Sequence, residues 1–297
     1  MYNPQLFAEI TSFWKGSIVQ RVTLISRIQE LSQKYGNNFH NYIAPIATFI
    51  SQSPEMSAEL IELGVAPEKI TEIENGVDTD LFQPVGAEEK QKLKSKLLPT
   101  VDPDATIFMS IARLTDPVKK IDVLIQKWQE TMSGQNAHLI LVGGYRQEET
   151  LPGSKVVELF ESATLWKSNK NGILFTGTQP AATVSELLQV SDAFLAPSIL
   201  EGFSNVALEA MSSGLPILAR DGVSGYGKLI KDKKTGIYFR DDLDLAGGIL
   251  ELYNNPLLRK NIGAAARNHI VQNYSVEAMI EKYRQLYKDL MQSNQKQ

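Results

Sequence analysis

From about residue 104 to 270 the chain alternates between two hydrophobic patterns. Short apolar runs occur at 106–111 (TIFMSI), 137–142 (AHLILV), 172–175 (GILF), 193–196 (AFLA), 215–219 (LPILA) and 236–239 (GIYF). Between most of them lie segments of helical spacing, near 120–131, 154–162, 181–190, 204–213 and 242–253. Continuous apolar runs bounded by turn residues predict strands buried on both faces. Their alternation with helices predicts a parallel sheet covered on both sides. Six strands fit one nucleotide-binding-type α/β unit. Helices near 256–271 and 275–291 follow.

The first hundred residues are less regular. Phe7, Ile10, Phe13 and Trp14 share one helical face, suited to packing against a partner domain or to peripheral contact with a membrane. Val22, Ile25, Ile28 and Leu31 give residues 20–35 a helical spacing. The apolar run at 42–50 carries Pro45, so its strand is expected to start after that residue. Ser53 and Pro54 read as the cap and first position of a helix that Gly64 ends. ITEIE at 70–74 alternates as a short strand, and NGVD at 75–78 reads as a turn. Residues 83–104 are polar, with Pro84, Pro99 and Pro103, and predict a linker with a short helix and a domain boundary near residue 100.

Composition narrows the chemistry. The chain has no cysteine, which removes disulfides, thiolate metal sites and a cysteine nucleophile. His40, His138 and His269 are too far apart to form a ligand-spaced motif, so no metal site is expected. A net charge of −4 argues against a nucleic-acid partner, though it leaves room for a local basic pocket. No run approaches a membrane span, and the first residues lack the pattern of a signal peptide. A cytoplasmic place is expected, with peripheral contact at the inner face of the membrane as a further expectation.

Ligands of parallel α/β sheets bind beyond the carboxyl ends of the strands. There the sequence places Arg113 and Lys119 after the first regular strand, and Gly143 and Gly144 after the second. Two cations suit a diphosphate, and glycines let backbone approach a ligand. Neither a GxGxxG fingerprint nor a P-loop is present, so hydride transfer and simple nucleotide triphosphate hydrolysis lose support. The most informative stretch is APSILEGFSNVALEAMSSGLPILA at 196–219. Glu201 lies in its loop, and a helix is expected from about Ser204 to Ser213. Glu209 sits among Val206, Ala207, Ala210 and Met211, where a carboxylate is buried and needs a partner. Carboxylates accept hydrogen bonds from sugar or ribose hydroxyls, and backbone N–H groups at 202–205 suit a phosphate. Spacing alone leaves plainer readings open: solvated cations, a tight strand-to-helix turn, and surface acids.

Taken in order, these stretches resemble the retaining GT-B glycosyltransferases of glycosyltransferase family 4, over roughly residues 48–290. EGFSNVALEAMSSGLPILA is similar to the family's paired-glutamate motif, with seven residues between the two acids. ENGVDTDLFQP at 74–84 resembles its interdomain segment, and SIARLTDPVKKIDVLI its glycine–arginine–leucine and lysine–glycine elements. ILFTGTQP at 173–180 and the small residues after LILV add two further matches.

The resemblance implies a complete C-terminal Rossmann-like domain at 101–272. It implies a partial N-terminal Rossmann-like domain with linker at 1–100, and a helix at 273–297 crossing back to it. The short N-terminal part carries the expectation of a truncated chain, or of a missing domain supplied separately. Arg113 and Lys119 would bind the donor diphosphate and Glu209 the ribose, with Glu201 near the reacting centre. Gly202, Phe203, Ser204 and Asn205 would lie near phosphate or sugar. Gly143 and Gly144 would make room for the nucleotide, and Gly177 and Thr178 would line the base region. The implied reaction moves a hexosyl group from a UDP- or GDP-sugar to a hydroxyl of a glycan or lipid-linked acceptor. It would retain configuration, require no cofactor, and serve surface polysaccharide or glycan synthesis. A donor-binding module without catalysis is the alternative. Three positions depart from the pattern: Ala112, Lys120 and Ser204 stand where glycine is usual. Lys119 is favoured over Lys120 for the diphosphate, and Ser204 suits a helix cap.

Overall fold

The computed structural model describes residues 46–144 and 154–294, the strand at 18–21, and residues 33, 36, 41, 43 and 44. Phe7, Ile10, Phe13, Trp14 and His40 lie outside the described residues. In chain order the elements begin with β1 (Ile18–Arg21), β2 (Ile46–Ser51), α1 (Pro54–Glu62), β3 (Ile70–Glu72), α2 (Ala87–Leu97) and β4 (Thr106–Ile111). There follow α3 (Ile121–Met132), β5 (Ala137–Val142), α4 (Lys155–Ser162), β6 (Ile173–Gly177), α5 (Ala181–Val190), β7 (Ala193–Ala196) and α6 (Asn205–Ser212). The last are β8 (Ile217–Arg220), α7 (Ser224–Gly227), β9 (Ile237–Phe239), α8 (Asp242–Asn254), α9 (Pro256–Asn273) and α10 (Val276–Asn294). The chain divides into one unit of Met1–Gly76 with Val276–Gln297 and another of Val77–Ser275.

The larger unit holds a six-stranded, all-parallel sheet in the order β6-β5-β4-β7-β8-β9. Successive residues of a strand point to opposite faces, and here both faces are buried. Ile107, Met109, Ile140 and Val142 pack with α5, α6 and α9. Phe108, Leu139, Leu141 and Phe175 pack with α3 and α8. Two apolar faces per strand explain why the runs read as continuous rather than alternating. The chain starts at β4 in the middle, runs out to β6, then returns to the other side of β4 as β7. Connections leave β4 and β7 in opposite directions, which opens a crevice at their carboxyl ends.

The boundary lies earlier than the one expected near residue 100. The polar segment from 83 to 104 belongs to the larger unit, because its apolar residues Leu98 and Val101 join the core with Phe82. Lys94 is buried and donates from Nζ to the carbonyls of Pro103 and Ala105, both at 2.6 Å. The Arg267 guanidinium ties Thr79, Phe82 and Ser212 together through their carbonyls at 2.7–2.9 Å.

In the smaller unit β1, β2 and β3 form a parallel sheet in that order. Gln20 and Arg21 pair with Phe49 and Ile50 in that sheet, while Val22, Ile25, Ile28 and Leu31, which carry the helical spacing, lie outside the described residues. Ser53 caps α1 by accepting from Met56 N–H at 3.2 Å. Helix α10 lays Met279, Tyr283, Leu286 and Leu290 against Ile50 and Ile73. Lys282 pairs with Glu74 at 2.6 Å. Among the described residues no helix is long and apolar enough to cross a membrane.

Candidate functional site

Two loops meet beyond the carboxyl ends of β4 and β7. After β4, Asp116 caps the 3-10 turn Pro117–Lys119. Its carboxylate accepts from Val118 N–H at 3.0 Å, and its carbonyl accepts from Lys119 N–H at 2.9 Å. Pro117 suits the first position, where a missing N–H removes no bond. The other Asp116 oxygen pairs with Arg113. After β7, Ile199 N–H donates to the Val118 carbonyl at 2.9 Å. Two residues on, Glu201 Oε1 lies 2.7 Å from Lys119 Nζ, and these side chains are only 14% and 20% exposed. One backbone bond and one shielded ion pair therefore lock the loops together across the crevice.

Lys120 takes left-handed backbone angles, φ 52° and ψ 35°. An L side chain there costs about 1–2 kcal/mol, which is the physical reason the resemblance expects glycine. It is Lys119, not Lys120, that reaches Glu201.

Helix α6 starts behind Ser204, whose hydroxyl accepts from Ala207 N–H at 3.4 Å. Asn205 is its exposed first residue, and Phe203 tilts against Tyr274 at 6.2 Å between ring centres. Gly202 is half-buried between Glu201 and Phe203. Glu209, in the second turn, has no hydrogen bond or ion pair to its carboxylate among the described residues. Burial pushes its pKa up to about 7. No bond joins it to Glu201, so the structure does not link the two acids directly.

The glycines gather at the ends of β5 and β6. Gly143 N–H donates to the Gly177 carbonyl at 2.9 Å, and Leu114 N–H to the Gly144 carbonyl at 2.9 Å. Gly143 has φ +138°, and a Cβ on it would lie 1.9 Å from the Ala112 carbonyl oxygen. Gly144 lies beside the Thr178 hydroxyl, which a Cβ would approach to 3.0 Å. Ala112, Gly143, Gly144, Gly177 and Thr178 thus form one surface, and packing against Ala112 by itself requires glycine at 143.

Spacing did not single out Asp116, although Asp followed by Pro is a legible turn-start signal. Among the described residues no group of three or more His, Asp or Glu side chains is placed to hold a metal ion. His138 faces Ser168 at 2.8 Å, and His269 the Lys228 carbonyl at 3.3 Å. Two further hollows, one along β9 and α8 and one near Asp192 and Pro216, contain none of the residues above. Chemically, the crevice offers two cations already matched with carboxylates, a half-buried carboxylate with no donor among the described residues, and side-chain-free backbone. An arriving dianion can take both cations by exchange.

Residues 91–269 match the profile of the family described as glycosyl transferases group 1. D-inositol 3-phosphate glycosyltransferase of Rhodococcus erythropolis is 25% identical over 252 residues, covering 82% of this chain and 54% of that protein. The chain spans about half the length of the curated relatives it matches. Among solved structures, sucrose-phosphate synthase from Thermosynechococcus elongatus superposes with a TM-score of 0.79 at 19% identity, over 98% of this chain and 72% of that one. HepE from Anabaena, in complex with UDP and glucose, gives a TM-score of 0.75 at 21% identity, over 93% of this chain and 71% of that one. At these identities the structural likeness speaks for the fold.

Proposed function

Because this chain belongs to the glycosyl transferases group 1 family and carries the two Rossmann-like units of the GT-B fold, we propose that it binds a nucleotide-sugar donor in the β4–β7 crevice. The hexosyl group then passes to an acceptor hydroxyl with retention of configuration. The observation that carries this reading is the Lys119–Glu201 pair, which places a cation and a carboxylate together at the crevice.

Each residue has one task. The donor diphosphate draws Lys119 from Glu201 and Arg113 from Asp116, since charge-assisted bonds to phosphate replace those to carboxylate. Backbone N–H groups at the start of α6 add partial positive charge. Glu209 accepts from the ribose hydroxyls and so gains the donors it lacks. Glu201, released, faces the sugar. As the bond from the anomeric carbon to the diphosphate breaks, negative charge grows on the leaving oxygen, and Lys119 and Arg113 stabilise it. The acceptor oxygen bonds to the same face of that carbon, and its proton passes to the leaving diphosphate. A glycan or lipid-linked acceptor, in surface polysaccharide or glycan synthesis, completes the proposal.

Calorimetry with UDP, GDP, UDP-glucose, UDP-N-acetylglucosamine and GDP-mannose tests the reading. Micromolar to millimolar binding of one base family is expected, and no binding to any of them sinks it. Donor binding without transfer is the alternative reading. Binding without release or transfer of hexose would select that one.

A further inference from the structure

A segment outside the donor residues holds the Glu201 loop in place. After β8 the chain turns into the single-turn helix α7. Ser224 Oγ donates to the Glu201 carbonyl at 3.1 Å, and Gly225 N–H donates to the same oxygen at 3.0 Å. The approach is close: a Cβ on Gly225 would lie 2.5 Å from Glu201 Cβ and 2.8 Å from its carbonyl oxygen. Tyr226 follows, 1% exposed. Its phenol lies beside Ser198 and Ser204, the buried serines at the two ends of the loop. Burial, and then the Glu201 charge, push its pKa upward, so it remains a neutral hydroxyl. The tyrosine is itself fixed, because its carbonyl accepts from Leu229 N–H at 3.0 Å and Ile230 N–H at 2.9 Å.

We infer that Ser224, Gly225 and Tyr226 form a positioning clamp that holds the Glu201 main chain at the height of the donor's sugar. Ser224 and Gly225 hold the middle of the loop by hydrogen bonds, and the buried Tyr226 ring sits beside both of its ends. A rigid ring with two torsions bridges the ends at small entropic cost. Tyr226 is a positioning residue: at 1% exposure it acts through the loop, not on a ligand. Gripping the backbone leaves the Glu201 side chain free to part from Lys119 while the loop stays still. This inference rests on the proposed donor reading.

The test uses Tyr226→Phe and Gly225→Ala in the full chain, with two readouts. Amide hydrogen exchange at residues 199–203 should rise at least about tenfold in Tyr226→Phe, the scale of losing one buried polar contact. Exchange in β4 should stay unchanged. By calorimetry, both variants should bind the parent's preferred UDP- or GDP-sugar about five- to tenfold more weakly, yet bind UDP or GDP itself within about twofold of the parent. Unchanged exchange in the loop overturns the clamp. So does an equal loss for sugar-bearing and sugar-free nucleotides, which marks general damage. A parent that binds none of these ligands overturns the donor reading instead, and the exchange result still decides whether the clamp exists.

Discussion

Lys119 and Glu201, 82 positions apart in the chain, meet as an ion pair at 2.7 Å. Their charges satisfy each other, and under the proposed donor reading a diphosphate competes for the lysine. The two variants should therefore diverge. Lys119→Met should lower affinity for the preferred nucleoside diphosphate about 10–100-fold, the worth of one or two charge-assisted hydrogen bonds. Glu201→Gln should leave that affinity unchanged or raise it up to about fivefold, since the lysine no longer has to be drawn away. Transfer or hydrolysis of the nucleotide sugar should fall in both. Calorimetry on the two proteins separates these outcomes, and equal weakening would contradict partner exchange.

Glu209 gives a pH dependence whose sign follows from burial. Its pKa rises from 4.5 to about 7 on folding, so between these values the folded chain holds more proton than the unfolded chain. The stability tied to the protonated form is full below 4.5 and is lost as pH rises through about 7. Urea unfolding should show Glu209→Gln more stable than the parent near about pH 8, and nearly equal to it near about pH 4. Ribose hydroxyls stabilise the ionised form, so nucleotide binding near neutral pH should release protons. Calorimetry in two buffers of different ionisation enthalpy measures that release, and zero release would separate Glu209 from the ribose.

Gly143→Ala should damage the fold before it affects any ligand. The new Cβ would sit 1.9 Å from the Ala112 carbonyl oxygen at a φ of +138°. Overlap with backbone cannot be relieved by a rotamer change, so a loss on the order of 3 kcal/mol or more is expected. Chemical denaturation reads it directly. A variant of parental stability would show that β4 and β5 can part at their ends.

At Lys120 the expectation is the reverse. Glycine removes a left-handed strain of about 1–2 kcal/mol and adds about 0.5–1 kcal/mol of chain entropy in the unfolded state. Lys120→Gly should therefore stabilise the chain by up to about 1 kcal/mol, seen as a higher Tm, with nucleotide affinity retained. Lost affinity would assign the diphosphate to Lys120.

The sequence carries the six strands of the larger sheet plainly, because two buried faces leave runs such as TIFMSI without polar interruption. Ser204 as a cap was legible for the same local reason. Strand β1 was not, since the four residues Ile18–Arg21 are too short a run to stand out without the neighbour that β2 supplies. Among the site residues, sequence placed Arg113, Lys119 and Glu201 near strand ends and Glu209 in the helix that follows. It could not pair Lys119 with Glu201, which depends on β7 returning beside β4. Nor could it show that Asp116 holds Arg113, or that Ser224, Gly225 and Tyr226 reach the Glu201 loop. Such contacts follow from strand order, which local pattern leaves undetermined.

The larger unit begins and ends at neighbouring points. Val77 N–H donates to the Tyr274 carbonyl at 2.8 Å, and Val77 pairs with Ser275 as an isolated parallel bridge. Topologically, residues 77–275 form a closed parenthesis within the chain, so the ends of this unit need no long connection to stay together. Termini placed this way tolerate rearrangement. Joining them through a short linker and opening the chain at an exposed turn would give a circular permutant with the same two cores and the same crevice. Continuity of the chain past Ser275 is then a matter of what the unit is attached to, and the β4–β7 crevice is a property of the parenthesis alone.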